Sequence, residues 1–185
     1  LKQSKADLQA VAEFLAPMVD RDAGWIMEQG KDYFFSFAAE KSAQYVFQWD
    51  EDAGTNSWWT NWWLNIPYHF GRDCVYADLE AGQAITFRIH GNNPEQVSIR
   101  AMECVSAEGI SIKDVPVQMA VGAECYPASV FTPRNGAWEE MTWSTSNPDV
   151  LRLGKYGQLI AMSEGEAVVT VTTSSGLSDS VTVLV

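Results

Sequence analysis

The stretch 57–65, SWWTNWWLN, contains four of the eight tryptophans of this 185-residue chain. Tryptophan carries a large flat apolar ring, so a cluster forms either a piece of core or a surface that stacks on a flat ligand. Read as a strand, the stretch places Trp59, Asn61, Trp63 and Asn65 on one face, because side chains alternate along a strand. The two indoles would lie about 13 Å apart, with amides beside them. Rings that stack on a sugar face, flanked by amides that hydrogen-bond hydroxyls, have the chemistry of a carbohydrate site.

Three other interpretations of this stretch stay open from the residues alone. Both strand faces could be core, one against an opposite sheet and one under an N-terminal helix. The face could also dock a neighbouring domain. A helix is compatible too, because Trp58 and Trp62, like Trp59 and Trp63, are four residues apart. A binding site requires at least one of the indoles of Trp59 and Trp63 to be reachable from solvent, whereas a spacer should bury them all.

Metal and cofactor chemistry finds little support in the sequence. The segment 50–56 supplies carboxylate and amide oxygens, but not at the spacing of a calcium-binding loop. The three cysteines form no CxxC pair and have no zinc-ligand spacing around His69 or His90. No phosphate-cradling loop or dinucleotide fingerprint is present. We therefore expect no metal and no cofactor.

Catalytic residues are equally hard to assign. Cys74 follows His69 by five residues, as a nucleophile follows a base, but no strand-to-helix elbow or Gly-rich oxyanion loop surrounds them. No pair of the 24 acidic residues is marked as the two carboxylates that glycoside hydrolysis needs. Cys74 could instead form a disulfide with Cys104 if the protein is exported. We expect these residues to contain no enzyme.

Composition limits the classes of partner. Twelve basic against 24 acidic residues give a formal net charge of -12, which repels nucleic acid and anionic lipid. No apolar run approaches the roughly 20 residues that cross a bilayer, so no membrane insertion is expected. The first residue is Leu1 rather than Met, which suggests a piece of a longer parent protein.

The chain begins with a helical pattern and continues with strands. Leu8, Val11, Leu15 and Met18 recur at helical spacing, so residues 1–24 are predicted to form a short N-terminal helix and a linker. From Lys31 onward, short aromatic and β-branched runs alternate with Gly, Asn and Pro punctuation, which is typical of successive strands. The strand-like segments are DYFFSF, AQYVFQW, DCVYADL, AITFRIH and QVSIRAMEC, then VPVQMAV, CYPASV, EEMTWS, LIAM, AVVTVTT and VTVLV.

A change of composition divides these strands into two sets. The aromatic density of residues 33–76 is not repeated later, and Ser/Thr alternation replaces it. We place the boundary near 106–114, which gives an aromatic-rich β-sandwich at 25–110 and a second sandwich at 114–185. The predicted fold is all-β, with two β-sandwich domains in tandem.

The second domain resembles the bacterial immunoglobulin-like domain group 2 family over the whole of 114–185. Four linked motifs in the order found in the family carry the resemblance: Val121-Gly122, TWSTSNPDV at 142–150, GQLIA at 157–161 and EGEA at 164–167. The resemblance implies an immunoglobulin-like sandwich in an extracytoplasmic multidomain protein, where such modules are commonly spacers. It supplies no set of ligand-binding residues.

Physical expectations for the second domain agree with this resemblance. Trp143 should fill the centre of the sandwich, because Met141 lies on the same strand face. Asn147 should turn the chain, and Gly157 and Gly165 should adopt positive φ in tight turns. Cys125 is expected to be a half-buried free thiol.

The first domain resembles, over about 30–105, the small jelly-roll modules of secreted bacterial proteins. Together these observations predict a non-catalytic module of a bacterial cell-surface or secreted protein, which binds a polysaccharide or another surface partner. One alternative is a purely structural spacer. Another is an accessory region of a glycan-active enzyme whose catalytic domain lies elsewhere.

Overall fold

Alternating apolar and polar residues become antiparallel strands throughout the described part of the chain. The computed structural model describes residues 25–26, 32–49, 67–90, 96–97 and 99–185. The chain divides into two compact units, Leu1–Cys104 and Val105–Val185. Each unit has its own sheets.

Eight strands are described in the first unit, and all are short. They are β1 (Trp25–Ile26), β2 (Asp32–Ala38), β3 (Ala43–Trp49), β4 (Tyr68–Gly71), β5 (Cys74–Leu79), β6 (Ala84–His90), β7 (Gln96–Val97) and β8 (Ile99–Glu103).

The first unit has one four-stranded sheet, ordered β4-β5-β3-β8, and two antiparallel pairs, β2-β6 and β1-β7. Its buried centre includes Phe47 of β3 and Val75 of β5. Phe37 of β2 packs its ring 5.1 Å from that of Tyr45 and 5.2 Å from that of Phe47. These contacts join two sheets through aromatic rings, so Phe37, Tyr45 and Phe47 belong to the packing between the sheets.

Eight strands are also described in the second unit. They are β9 (Gly109–Lys113), β10 (Glu124–Cys125), β11 (Ala128–Thr132), β12 (Met141–Thr145), β13 (Leu151–Leu153), β14 (Leu159–Ala161), β15 (Glu166–Thr173) and β16 (Ser178–Leu184).

The second unit is an immunoglobulin-like sandwich. One sheet has the order β10-β14-β13, the other has the order β12-β15-β16, and β9 pairs with β11. Leu151 and Leu159 of the first sheet share a buried cluster with Val169 and Val183 of the second. Since each sheet turns its apolar face inward, the two sheets close on one core.

The all-β prediction is confirmed, and no helix occurs in the residues that the structure describes. None of those residues forms a helix long and apolar enough to span a membrane. The predicted N-terminal helix lies outside the described residues. Four strands that the pattern did not predict are present, namely β1, β4, β9 and β13. The segment 115–121, predicted as a strand, contributes only an isolated bridge from Gln118 to Leu184.

The segment 106–114, predicted as the boundary between the domains, contains β9. Ile110 of β9 is buried, and its strand pairs with β11 from Gly109 to Lys113. The amide of Ile112 also donates a hydrogen bond of 2.7 Å to Asp179 Oδ2 on β16. The segment therefore belongs to the second unit, because its strand pairs with β11 and its Ile110 side chain is buried in that sandwich.

Candidate functional site

The residues predicted to bind a glycan, Trp59, Asn61, Trp63 and Asn65, lie outside the described part of the chain. The acidic segment 50–56 lies outside it as well. The tryptophan platform therefore stays a prediction. The described residues offer a different set of surface groups, on the second unit.

The Cys74 and His69 pair lies in the hairpin of β4 and β5. His69 faces Tyr76 in the register, and Cys74 faces Gly71. Cys74 is buried, so a substrate has no access to its sulfur from solvent. This arrangement does not support a nucleophile activated by a base.

Cys74 and Cys104 are both free thiols. Cys74 faces Gln48 across one edge of β3, whereas the Cys104 amide donates to the carbonyl of Gln44 at the other edge. The two cysteines are therefore separated by four residues along the strand direction, which is about 13 Å, and by two strand spacings, which is about 10 Å. A disulfide requires Cα atoms within about 7 Å, so the strand register excludes a bridge between Cys74 and Cys104.

Two further expectations concern Trp143 and Cys125. Trp143 packs against the core cluster, but it is only partly buried and does not fill the centre of the sandwich. Cys125 is a free, half-buried thiol whose sulfur lies 3.9 Å from that of Met119. Burial raises the pKa of Cys125, which makes the reactive thiolate scarce at neutral pH.

The described surface of the second unit includes an exposed group of aromatic and basic side chains, Tyr126, Arg152, Lys155 and Tyr156. We call these four residues the aromatic–basic surface. Tyr126 is 63% exposed and Tyr156 is 70% exposed, well above what a core tyrosine shows. Arg152 and Lys155 are exposed as well.

The sheet β10-β14-β13, the residue after β10 and the turn between β13 and β14 carry these four side chains. Glu124 and Arg152 both face Ile160 of the central strand, one from each side. Cys125 pairs with Leu159, so Tyr126 leaves β10 at the end of the sheet where the turn joins β13 to β14. Lys155 and Tyr156 lie in that turn. Strand pairing thus brings a tyrosine near another that is 30 positions away in the sequence.

A buried glutamine fixes the shape of this turn. Gln158 is only 9% exposed, and its Oε1 accepts a hydrogen bond of 3.1 Å from the amide of Tyr156. The Gln158 side chain occupies the space that a Cβ on Gly154 would need, at 2.5 Å. Gly157 has φ of +83°, the left-handed region that glycine adopts without strain. The backbone therefore holds Lys155 and Tyr156 outward.

The charges of this surface are not neutralised locally. Lys155 Nζ lies 4.5 Å from the centre of the Tyr156 ring, which is a cation–π contact. Among the described residues, neither Arg152 nor Lys155 forms an ion pair, unlike Lys41 with Glu103 and Arg72 with Asp73. Glu124 lies two strands from Arg152, roughly 10 Å away and beyond direct contact.

The sequence carries a local signal for part of this surface. Lys155 and Tyr156 stand between two glycines in the stretch LGKYGQ. Glycines on both sides of a charged and an aromatic residue indicate a tight turn that presents both side chains to solvent. Its neighbour Tyr126 could not be found this way, because the strand pairing that places it there is long-range.

No group of three or more metal-ligating side chains occurs in the described residues. No sequence profile of a known family matches the chain. No curated protein matches it either.

Among solved structures, the chain is similar to the C-terminal 282-residue fragment of intimin, crystallised with the intimin-binding domain of the translocated intimin receptor. The sequence identity is 12% and the TM-score is 0.35, over 86% of this chain and 64% of that chain. The chain thus covers less than two thirds of the fragment. Similarity at this level does not define a shared fold, and the fold assignment rests on the strand order and the core.

Proposed function

We propose that the chain is a non-catalytic binding module of a bacterial cell-surface or secreted multidomain protein. In this proposal the second unit is a group 2 bacterial immunoglobulin-like domain that holds the first unit in place. The first unit recognises a glycan through Trp59, Asn61, Trp63 and Asn65.

One observation supports the assignment of the second unit: residues of the motif segments lie in the core and in the turns, where the sequence predicts them. Trp143 packs on the core of the sandwich. The carbonyl of Asn147 accepts hydrogen bonds from the amides of Val150 and Leu151, which closes the turn after β12. Gly157 and Gly165 have φ of +83° and +147°, where other residues are strained.

The glycan part of the proposal is tested by replacing the tryptophan platform. The purified 185-residue chain and a Trp59→Ala/Trp63→Ala variant would be compared for binding to a panel of neutral polysaccharides by affinity electrophoresis. We expect the variant to bind at least about tenfold more weakly, because each indole supplies stacking energy that alanine lacks.

A Phe70→Ala variant is the matched control. Phe70 is an exposed aromatic residue of the same unit, so its loss reports any general effect of removing an aromatic ring. Urea denaturation of all three proteins checks that they are folded. If the double variant unfolds, or if no form binds a polysaccharide, the stretch 57–65 is core and a structural spacer becomes the better description.

A further inference from the structure

We propose that the aromatic–basic surface of the second unit binds an acidic polysaccharide, with tyrosine rings against sugar faces and basic groups against sugar carboxylates. This goes beyond the proposed function, because it assigns a ligand site to the unit that the resemblance treats as a spacer. It does not depend on the tryptophan stretch.

The first argument is the exposure of two tyrosine rings at one end of a sheet. Burial of a large aromatic side chain is energetically favourable. The rings of Tyr126 and Tyr156, which are 63% and 70% exposed, are therefore available to another molecule. A pyranose ring has an apolar face that stacks on an aromatic ring and hydroxyls that the tyrosine oxygens can hydrogen-bond. The two tyrosines are therefore suited to a sugar.

The second argument is electrostatic. Residues 105–185 contain four basic residues against nine acidic ones. Two of the four, Arg152 and Lys155, belong to this surface and form no ion pair in the described residues. The net negative charge of the unit repels a polyanion at long range, but two neighbouring turn and strand residues with basic side chains and no ion pair attract an anionic group at close range. Arginine in particular binds carboxylates in bidentate geometry.

The third argument is the rigidity of the turn. The amide of Gly154 donates to the carbonyl of Gln158 at 2.7 Å, and the amide of Gly157 donates to the carbonyl of Gly154 at 3.1 Å. With the buried Gln158 side chain beneath, the backbone around Lys155 and Tyr156 is fixed before a ligand arrives. A ligand then pays little entropy for ordering the loop.

The small size of the surface favours a polysaccharide over an acidic protein. A stable protein interface buries about 800 Å² per partner and has an apolar centre. Here four side chains form the surface, and its central strand offers only the half-buried Ile160. A single chain of sugars can bind through a few stacking and polar contacts and needs no large apolar centre.

The test uses polygalacturonate as the acidic polysaccharide and its fully methyl-esterified form as the neutral match. Binding of the 185-residue chain to each polymer would be measured by isothermal titration calorimetry at low salt and at about 0.5 M salt. The variants are Arg152→Gln/Lys155→Gln and Tyr126→Ala/Tyr156→Ala. Lys113→Gln is the control, because Lys113 is an exposed basic residue of the same unit outside this surface.

We expect polygalacturonate to bind, and the charge variant to bind about tenfold more weakly than the parent chain at low salt, because two exposed ion pairs are lost. The tyrosine variant should also bind more weakly, and the Lys113→Gln variant should match the parent. High salt should weaken binding of the parent, since exposed charges are screened. The Trp59→Ala/Trp63→Ala variant should bind polygalacturonate as the parent does.

Several results would overturn the proposal. Absence of binding, equal binding of the methyl ester, or an equal loss in the Lys113→Gln variant would each do so. Equal affinity for polyglutamate, lost in the same two variants, would assign the surface to an acidic polypeptide instead. Loss of polygalacturonate binding in the tryptophan variant alone would place the site in the first unit.

Discussion

At the scale of single residues, burial decides which of the three thiols can react. Cys74 is buried and Cys104 and Cys125 are half-buried. Burial raises the pKa of Cys104 to about 12 from an ordinary value of 9.0. The sequence offers three cysteines as possible nucleophiles, but burial in the folded protein keeps the thiols protonated and therefore unreactive.

We expect the native chain to react slowly with a disulfide reagent such as DTNB at pH 8. A pKa near 12 in place of 9.0 lowers the thiolate fraction of Cys104 by about a thousandfold. The same reagent in denaturant should titrate three thiols, because the strand register excludes the bridge between Cys74 and Cys104. Two missing thiols in denaturant would contradict this register.

At the scale of elements, polar side chains close the hairpin between β15 and β16. Thr173 is buried at the end of β15, and its Oγ1 accepts a hydrogen bond of 3.1 Å from the amide of Leu177. Glu139 Oε2 accepts another, of 3.0 Å, from the amide of Ser175. The carboxylate of Glu139 thus caps a turn that lies 36 residues away in sequence.

The hydrogen bonds of Glu139 should make the stability of the second unit depend on pH in the acidic range. Hydrogen bonds from Ser175, its hydroxyl first, hold the pKa of the Glu139 carboxyl below its ordinary value of 4.5. A carboxyl with a lowered folded-state pKa contributes stability above the unfolded-state pKa and loses it as pH falls through the folded-state pKa. Urea midpoints should therefore fall less between pH 6 and pH 3 in Glu139→Gln than in the parent chain. Glu140→Gln, a change at the exposed neighbour, is the control and should follow the parent.

At the scale of the whole molecule, the strand ladders show where the second unit begins. Residues 109–113 read as a boundary in the sequence, because a glycine and charged residues interrupt the apolar pattern. In the structure they form β9, which pairs with β11 and buries Ile110. The described boundary between the units falls at Cys104 and Val105.

Two truncated chains distinguish these boundaries. Residues 105–185 should fold alone and unfold cooperatively in urea. Residues 114–185 should be less stable by at least about 2 kcal/mol, because loss of β9 removes the buried Ile110 side chain and exposes its neighbours. Equal urea midpoints and slopes for the two chains would show that β9 contributes nothing.

The sequence by itself determined several of the strands and turns of this protein. Period-two alternation in AQYVFQW and AVVTVTT indicated β3 and β15, and Asn147, Gly157 and Gly165 marked turns that the structure contains. These signals are local, because each depends on the side-chain preferences of a few neighbouring residues. The tryptophan platform at Trp59 and Trp63 was also inferred locally, and it stays a prediction.

The tertiary structure alone decided which distant segments meet. The pairing of β10 with β14 places Tyr126 beside the turn that carries Lys155 and Tyr156, and the pairing of β9 with β11 moves a presumed linker into the sandwich. No local pattern in LGKYGQ indicates that Tyr126 lies beside this turn. No local pattern in GISIK specifies β11 as its partner strand. Partner and register follow from which combination of strands buries the most apolar surface around one core, and that is a property of the whole fold.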